Sequence, residues 1–136
     1  MATYNKFQCF VEDICEKKHN LGSDTLKVAL SNASNAPSAS ADVKLADITT
    51  VSVANLDSVT LTVSSSSQTS GTYKLVLADK TMTASGAVGP FQYVIIYNDT
   101  ASNKELICWY DYGSEVTLAS GDTFKLDFGT ELFSLA

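Results

Sequence analysis

The spacing of apolar residues near the start of the chain predicts one helix over residues 4–20. Apolar side chains recur there at steps of three and four residues, which puts them on one face of a helix with Glu12 and Asp13 on the outer side. Gly22 follows as a candidate left-handed cap that ends the helix. The predicted buried stripe consists of Phe7, Phe10, Val11, Ile14 and Cys15.

Beyond Gly22 the period of apolar positions changes to two, which is the period of a β-strand. Residues 33–42 predict a loop, and residues 64–71 a polar turn or a solvated strand end. No helical pattern recurs between strands, so we expect a mainly β fold. The specific prediction is an antiparallel β-sandwich (jelly-roll or immunoglobulin-like) with one N-terminal α-helix, in a single domain over residues 1–136. About eight strands are predicted between residues 25 and 135, within 25–32, 43–54, 59–63, 72–84, 90–98, 104–112, 123–128 and 132–135.

Residues 89–113 predict a central hairpin with its turn at residues 98–103, because both of its strands are apolar on both faces. In the first strand, regular alternation puts Val94 and Ile96 on one face. The residues on the other face are Phe91, Tyr93, Ile95 and Tyr97. On the second strand it separates Ile107 and Trp109 from Leu106, Cys108 and Tyr110. This pattern favours a protein core over a binding surface for these aromatic residues.

Charge and cysteine content narrow the function classes. The chain has 136 residues, a formal net charge of −6 and nine basic residues, all of them Lys. Arg is the preferred side chain for bidentate contact with phosphate and guanine, so its absence argues against nucleic-acid binding. No apolar run approaches the roughly 18 residues of a membrane helix, and no signal-peptide pattern opens the chain. An odd number of cysteines indicates a reducing compartment such as the cytoplasm in which the chain is made.

The search for catalytic or metal-binding residues yields weak candidates. His19 falls in the last turn of the predicted helix, where an imidazolium would interact favourably with the carbonyl end. Cys15 lies four residues before it, at the edge of the apolar stripe, where a thiol acts as a small hydrophobe. Together with Cys9 and Cys108, these residues match no common zinc spacing. We therefore expect no catalytic, cofactor-binding or metal-ligating residue and no enzyme. Cys9 is predicted to be exposed opposite the stripe, as a contact residue or one under no selection.

Two carbohydrate functions, hydrolysis and binding, would depend on the acidic and aromatic residues of the chain. A glycosidase needs two carboxyls facing each other across a cleft, whereas acids on alternating strands are usually solvated. A sugar-binding module would stack sugar rings on Trp109, Tyr110 and Tyr112. Alternation puts Trp109 on the opposite face from the two tyrosines, so the three cannot form one platform. The acids predicted to be solvated are Glu105, Asp111, Glu115, Asp122, Asp127 and Glu131.

Several stretches together resemble a group of small virion proteins of tailed bacteriophages. That group opens with an N-K-F-x-x-F-V-E-D helix followed by H-N-L-x-x-D-T-L-K-V-A-L, and the chain carries YNKFQCFVEDICEKKHNLGSDTLKVALSNA at 4–33. The resemblance continues through APSAS, LADIT and SSSQTSGTYKLVLAD, and then through GPFQYVIIYNDT and WYDYGSEVTLASGDTFKLDF. It departs at TTVSVANLDSV, where the group often has a longer Gly-rich loop, and at FGTELF, where it tends to have a Gly/Asn turn.

The resemblance implies a phage virion structural protein. By analogy of size, fold class and lack of catalytic groups, we expect a capsid decoration or cement protein on the capsid surface. Its expected partners are the major capsid protein and neighbouring copies of itself, as a homo-oligomer on the virion, with no direct contact to nucleic acid or membrane. Loops 33–42 and 49–58 and exposed strand edges are the expected contact parts. The alternatives are a tail tube, head–tail connector or fibre component, and a carbohydrate-binding β-sandwich module.

Overall fold

The computed structural model describes residues 2–136, with 47% of the chain in strands and 10% in helices. Within these residues there is one α-helix, α1, at Cys9–Cys15, and short 3₁₀ helices lie at Ala33–Asn35 and Leu45–Asp47. No helix in the described range is long and apolar enough to cross a membrane. The strands are β1 (Thr3–Lys6), β2 (Leu26–Ser31), β3 (Val63–Thr69), β4 (Thr72–Leu77), β5 (Lys80–Thr83), β6 (Val88–Asn98), β7 (Leu106–Leu118), β8 (Thr123–Leu126) and β9 (Phe133–Leu135).

The strands form three antiparallel sheets. The largest has the order β1-β7-β6-β2, the second β3-β4-β9, and the third pairs β5 with β8. The long hairpin β6–β7 lies at the centre of the largest sheet, as the sequence predicts. The expectation of a mainly β, antiparallel fold with one N-terminal helix is confirmed.

The four-stranded sheet is buried on both faces. One face packs against the other two sheets in a main core that includes Phe10, Leu75, Met82, Phe91 and Ile96. The opposite face forms a smaller cluster of buried residues that Ala39 and Leu45 also contact. Segment 39–48 therefore covers this outer face without forming a strand. The buried residues of the smaller cluster are Phe7, Ala29, Ile48, Ile95, Tyr97, Leu106 and Trp109.

The predicted helix over residues 4–20 is wrong at both ends. Residues 3–6 are a strand because Tyr4 pairs with Tyr110 on the edge of β7, which supplies backbone hydrogen bonds that a helix start would leave unused. The predicted stripe is also divided, since Phe7 belongs to the outer cluster and Phe10 to the main core. Val11, predicted to be buried, is 50% exposed. The short helix thus passes around the sheet edge instead of lying flat on one face.

The residues after α1 also differ from the sequence prediction. The left-handed residue that follows the helix is Lys17, with φ of 65°, and not Gly22. Asp13 is buried, although the pattern placed it on the outer side. His19 lies beyond the helix and is buried, so it does not cap the carbonyl end. The helix ends in a Schellman motif around left-handed Lys17, in which the Lys18 N–H donates to the Asp13 carbonyl and the Lys17 N–H to the Ile14 carbonyl.

Three strand predictions change as well. Residues 59–63, predicted as a strand, make one isolated bridge to β2, between Thr60 and Lys27, and only the last of them lies in a strand. Residues 43–54, which the sequence pattern predicts to be strands, form a 3₁₀ helix and an irregular segment. This segment touches β2 through one bridge, between Val51 and Leu30. Residues 64–71, predicted as a polar turn or a solvated strand end, supply most of the regular strand β3 and the turn that follows it. Serine-rich β3 pairs with β4 through its backbone, for which side-chain polarity is no obstacle.

Register shifts alter the predicted faces of the central hairpin. A shift between Phe91 and Tyr93 moves Phe91 into the main core with Val94 and Ile96. A second shift, where Tyr97 pairs with Leu106 instead of Ile107, turns Leu106 to the outer cluster. A bulge inserts one extra residue and so reverses the facing of everything on its far side. Alternation near the strand centres survives, with Ile95 and Trp109 on the outer face.

Candidate interaction surface

Exposed apolar side chains mark one side of the molecule. A cleft of about 460 Å³ lies between β1 and β9, with α1 along it, and we name it the β1–β9 cleft. Val11 is 50% exposed there and Leu135 is 53% exposed, beside the partly exposed Tyr4. Clustered exposed apolar side chains of this kind are typical of contact surfaces.

The floor of the β1–β9 cleft belongs to the main core. The rings of Phe10 and Phe133 meet nearly at right angles with centroids 5.1 Å apart, and Phe133 also packs on Tyr73. Strand β9 is held in place by β4, and the Leu132 N–H donates to the Leu75 carbonyl at 2.7 Å. Core packing therefore fixes the shape of the cleft, so the cleft is already formed before any partner binds.

A second depression, of about 480 Å³, continues the cleft past the end of α1. The two depressions share Ile14, Phe133 and Leu135 in their walls, so they form one groove. The charged residues that line this groove are Lys6 and Lys17. Neither has a carboxylate within 4 Å in the described part of the chain, although the protein carries a net charge of −6. The groove is thus a cationic apolar region on an acidic protein.

Two strand edges border the β1–β9 cleft. Strand β1 is the last strand on one side of the four-stranded sheet, and β9 is the last strand of the three-stranded sheet. Within residues 2–136, each pairs with a neighbouring strand on one side only. Edge strands present backbone donors and acceptors to a partner.

A third cleft, lined by aromatic residues, lies next to the groove. Its volume is about 440 Å³, and we name it the aromatic cleft. Tyr110 connects the two regions, because its ring lies 5.5 Å from that of Tyr4 and 6.2 Å from that of Phe128. Tyr112 is 45% exposed and packs edge-on against Phe124. Lys125 and Asp127 also line it.

A buried polar network lies behind the second depression. Asn98 is fully buried, and its amide N–H₂ donates to Asp24 Oδ2 at 2.7 Å and to His19 Nδ1 at 3.0 Å. The amide cannot be flipped, because its Oδ1 accepts the backbone N–H groups of Thr100 and Ala101. His19 Nδ1 is therefore the acceptor, and its proton sits on Nε2. Burial lowers the pKa of His19 against the raising effect of nearby Asp13, Glu105 and Asp24.

Two acids near His19 are buried, and sequence reasoning missed both. Asp13 forms an ion pair with Lys18 at 3.1 Å, and Glu105 is 6% exposed at the start of β7. Asp13 Oδ2, Glu105 Oε2 and His19 Nε2 have no hydrogen-bond partner among the described residues. The helical periodicity of the sequence predicted Asp13 on the outer side of the helix, which is wrong. No signal in the sequence distinguishes Glu105 from the acids predicted to be solvated.

The cysteines are dispersed over different environments. Cys108 is buried in the main core, Cys15 is exposed, and Cys9 is half-buried with its thiol near the carbonyls of Asp42 and Val43. Burial, together with nearby Asp13, raises the pKa of the Cys9 thiol to about 11. In residues 2–136 no three Cys, His, Asp or Glu side chains come together in an arrangement that could hold a metal ion.

The remaining acids mainly organise turns. Glu115 accepts the Ala33 N–H, Asp122 accepts the Ala119 N–H, and Asp127 accepts the Gly129 N–H. Asp111 accepts hydrogen bonds from Gln92 and from the Gly113 N–H. Asp122 and Asp127 are thus fixed by nearby backbone groups, whereas Glu115 and Asp111 also join β7 to distant parts of the chain. Among the acids predicted to be solvated, Glu105 is the one that is buried.

The residues considered for sugar stacking separate as predicted. Trp109 is buried in the outer cluster, where its ring lies 4.6 Å from that of Phe7. Tyr110 and Tyr112 face the aromatic cleft on the other side of the sheet. Of the loops expected to make contacts, residues 33–42 are partly occupied in covering the outer face, through Ala39.

Comparison with known proteins gives no relative: no family model, curated protein or solved structure matches the chain.

Proposed function

We propose that the chain is a structural protein of a tailed-phage virion, and specifically a capsid decoration protein that binds between major capsid subunits. The observation that carries the proposal is the preformed groove whose wall residues Val11 and Leu135 are at least half exposed. Such a surface is stabilised when a partner covers it. The sequence resemblance to phage virion proteins supplies the class of partner.

The finer fold assignment belongs to this proposal. Three antiparallel sheets contribute to one main core, which supports a β-sandwich of jelly-roll or immunoglobulin-like type. A rigid sandwich suits a protein that acts by contacts, and neighbouring copies on the virion would meet through surfaces outside the groove. The site chemistry supports binding over catalysis, because the Cys9 thiol is protonated at neutral pH and the His19 Nδ1 lone pair already accepts a hydrogen bond.

The test uses expanded, undecorated heads of the parent phage. Purified protein should bind these heads in a fixed ratio to capsid subunits and raise their melting temperature, since a ligand that binds only the assembled state stabilises it by mass action. Saturable binding with no change for empty tails would support the shell over the tail tube, connector or fibre. Absence of binding to heads would refute the decoration assignment.

A carbohydrate-binding module is the second candidate, favoured by the aromatic cleft. Tyr112 and Phe124 stand beside Lys125 and Asp127 there, which combines ring surface with polar groups. Glycan-array binding that Tyr112→Ala abolishes would support this candidate. Trp109 is a poor reporter for such an experiment because it is buried on the opposite face.

A further inference from the structure

Alternate residues of β1 have backbone hydrogen-bonding groups that point out of the molecule at the cleft. The Phe7 N–H donates to the Ile107 carbonyl at 3.2 Å, towards β7. Backbone groups of alternate residues in an antiparallel strand point to opposite sides. Those of Tyr4 and Lys6 therefore point away from β7, at the open edge of the sheet. An extended chain laid along β1 would pair with them.

The side chains beside this edge suit such a chain. Tyr4 and Lys6 line the β1–β9 cleft together with apolar Phe133 and Leu135 of β9. Side chains of an added strand alternate between the two faces of the sheet. Every second residue of that strand would therefore lie against the apolar floor.

We propose that the β1–β9 cleft binds an extended, acidic segment of a different polypeptide, which adds a strand to β1. The side chains of this segment that face the cleft include apolar ones, which fill it, and carboxylates, which approach Lys6 and Lys17 on the same face. The inference deepens the proposed function, on which it rests for the identification of the partner as a virion subunit.

Charge decides between a different polypeptide and a second copy of the chain. In a two-fold dimer each subunit contributes the same surface to the contact. A dimer across the cleft would set Lys6 and Lys17 against the same two lysines, with no carboxylate among the residues that line the groove. Two copies with a net charge of −6 each also repel one another. An acidic segment from another chain would instead set carboxylates against these two lysines.

The first experiment uses a defined peptide probe. The peptide has eight residues, is end-capped and fluorescein-labelled, and carries valine and glutamate in turn at the positions that face the cleft, with threonine at the others. It is titrated with the protein, and fluorescence anisotropy reports binding. One control peptide has lysine in place of glutamate, and another has proline at alternate positions, which removes the N–H groups needed for strand pairing. Backbone amide shifts in NMR spectra should be concentrated at Tyr4, Lys6 and β9.

A matched pair of variants tests the charge. Lys6→Glu with Lys17→Glu should weaken binding of the glutamate peptide by about tenfold. Lys44→Glu with Lys80→Glu makes the same change in net charge at two other lysines that lack an ion pair in residues 2–136. That control should change the affinity by less than about twofold. Equal affinity in the two double variants, equal binding of the proline peptide, or a groove-dependent dimer in sedimentation would each overturn the inference.

Undecorated heads separate this inference from the proposed function. If wild type and the Lys6/Lys17 variant bind heads equally well, the cleft inference fails and the decoration role stands. If the glutamate peptide binds with the expected charge dependence while heads bind no protein, the decoration role fails and the cleft inference stands.

Discussion

The Asn98 side chain connects its own turn to the segment between α1 and β2, and its replacement by alanine should destabilise the whole fold. The side chain makes four hydrogen bonds, to Asp24, His19, Thr100 and Ala101, at distances from 2.7 to 3.2 Å. Asn98→Ala removes all four and leaves the His19 acceptor buried without its donor. The sequence marks this residue only as the start of a turn.

The magnitude follows from the kind of each bond. The bond to the Asp24 carboxylate is charge-assisted and contributes about 2 kcal/mol, and the three neutral bonds contribute about 1 kcal/mol each. The Thr100 and Ala101 N–H groups lie at the surface turn and regain water, which offsets part of the loss. We therefore expect the free energy of unfolding to fall by about 3 to 4 kcal/mol.

Urea unfolding followed by Trp109 fluorescence measures this change, since the single Trp is buried and becomes exposed on unfolding. Asn103→Ala is the matched control, because Asn103 is exposed in the same turn. It should change the free energy of unfolding by less than about 0.5 kcal/mol. A loss below about 1 kcal/mol for Asn98→Ala, at an unchanged m-value, would show that the network does not hold these segments together.

Three further predictions concern pH, thiols and a turn. Because burial lowers the pKa of His19 below that in the unfolded chain, about 6.5, stability is present above that pH and is lost as the pH falls below it. The loss is at most about 1.4 kcal/mol per pH unit. His19→Gln should remove this component from urea curves recorded between pH 8 and 5, and an unchanged pH profile would contradict the assignment. With a thiol reagent at neutral pH, exposed Cys15 should react first and buried Cys108 only after unfolding. Cys9 should react much more slowly than Cys15 because the pKa of its thiol is raised. Two equally fast thiols would be inconsistent with this order. Ser70 has φ of 52° in the two-residue turn between β3 and β4, a left-handed conformation that Asn adopts readily. Ser70→Asn should therefore raise the free energy of unfolding by about 0.5 kcal/mol in thermal or urea unfolding. A loss of stability would refute this interpretation of the turn.

The sequence pattern predicts the central part of the fold well. Strand β2 and the hairpin β6–β7 emerge from period-two runs of apolar residues. Double-sided hydrophobicity correctly predicts that the hairpin lies at the centre of its sheet. The separation of Trp109 from Tyr110 and Tyr112 is also correct, because strand geometry fixes which neighbours share a face. These features depend on local periodicity, which a sequence displays directly.

The groove was not predictable in this way. The apolar run at residues 7–15 has the same spacing for one buried helix face as for a short helix that passes around a sheet edge. Only the pairing of β1 with β7 decides between them, and that pairing joins residues more than a hundred positions apart. The exposure of Val11 and Leu135 follows from this pairing, so the candidate surface appears only in three dimensions.

By itself, the sequence determined a mainly β protein with antiparallel strands, one helix near its start and an acidic surface rich in serine and threonine. Tertiary structure alone decided that Asn98, Asp24 and His19 form one network and that β1 and β9 leave a cleft between their edges. The physical reason is that local patterns report which face of an element is apolar. They do not report which distant element covers that face, or where none does.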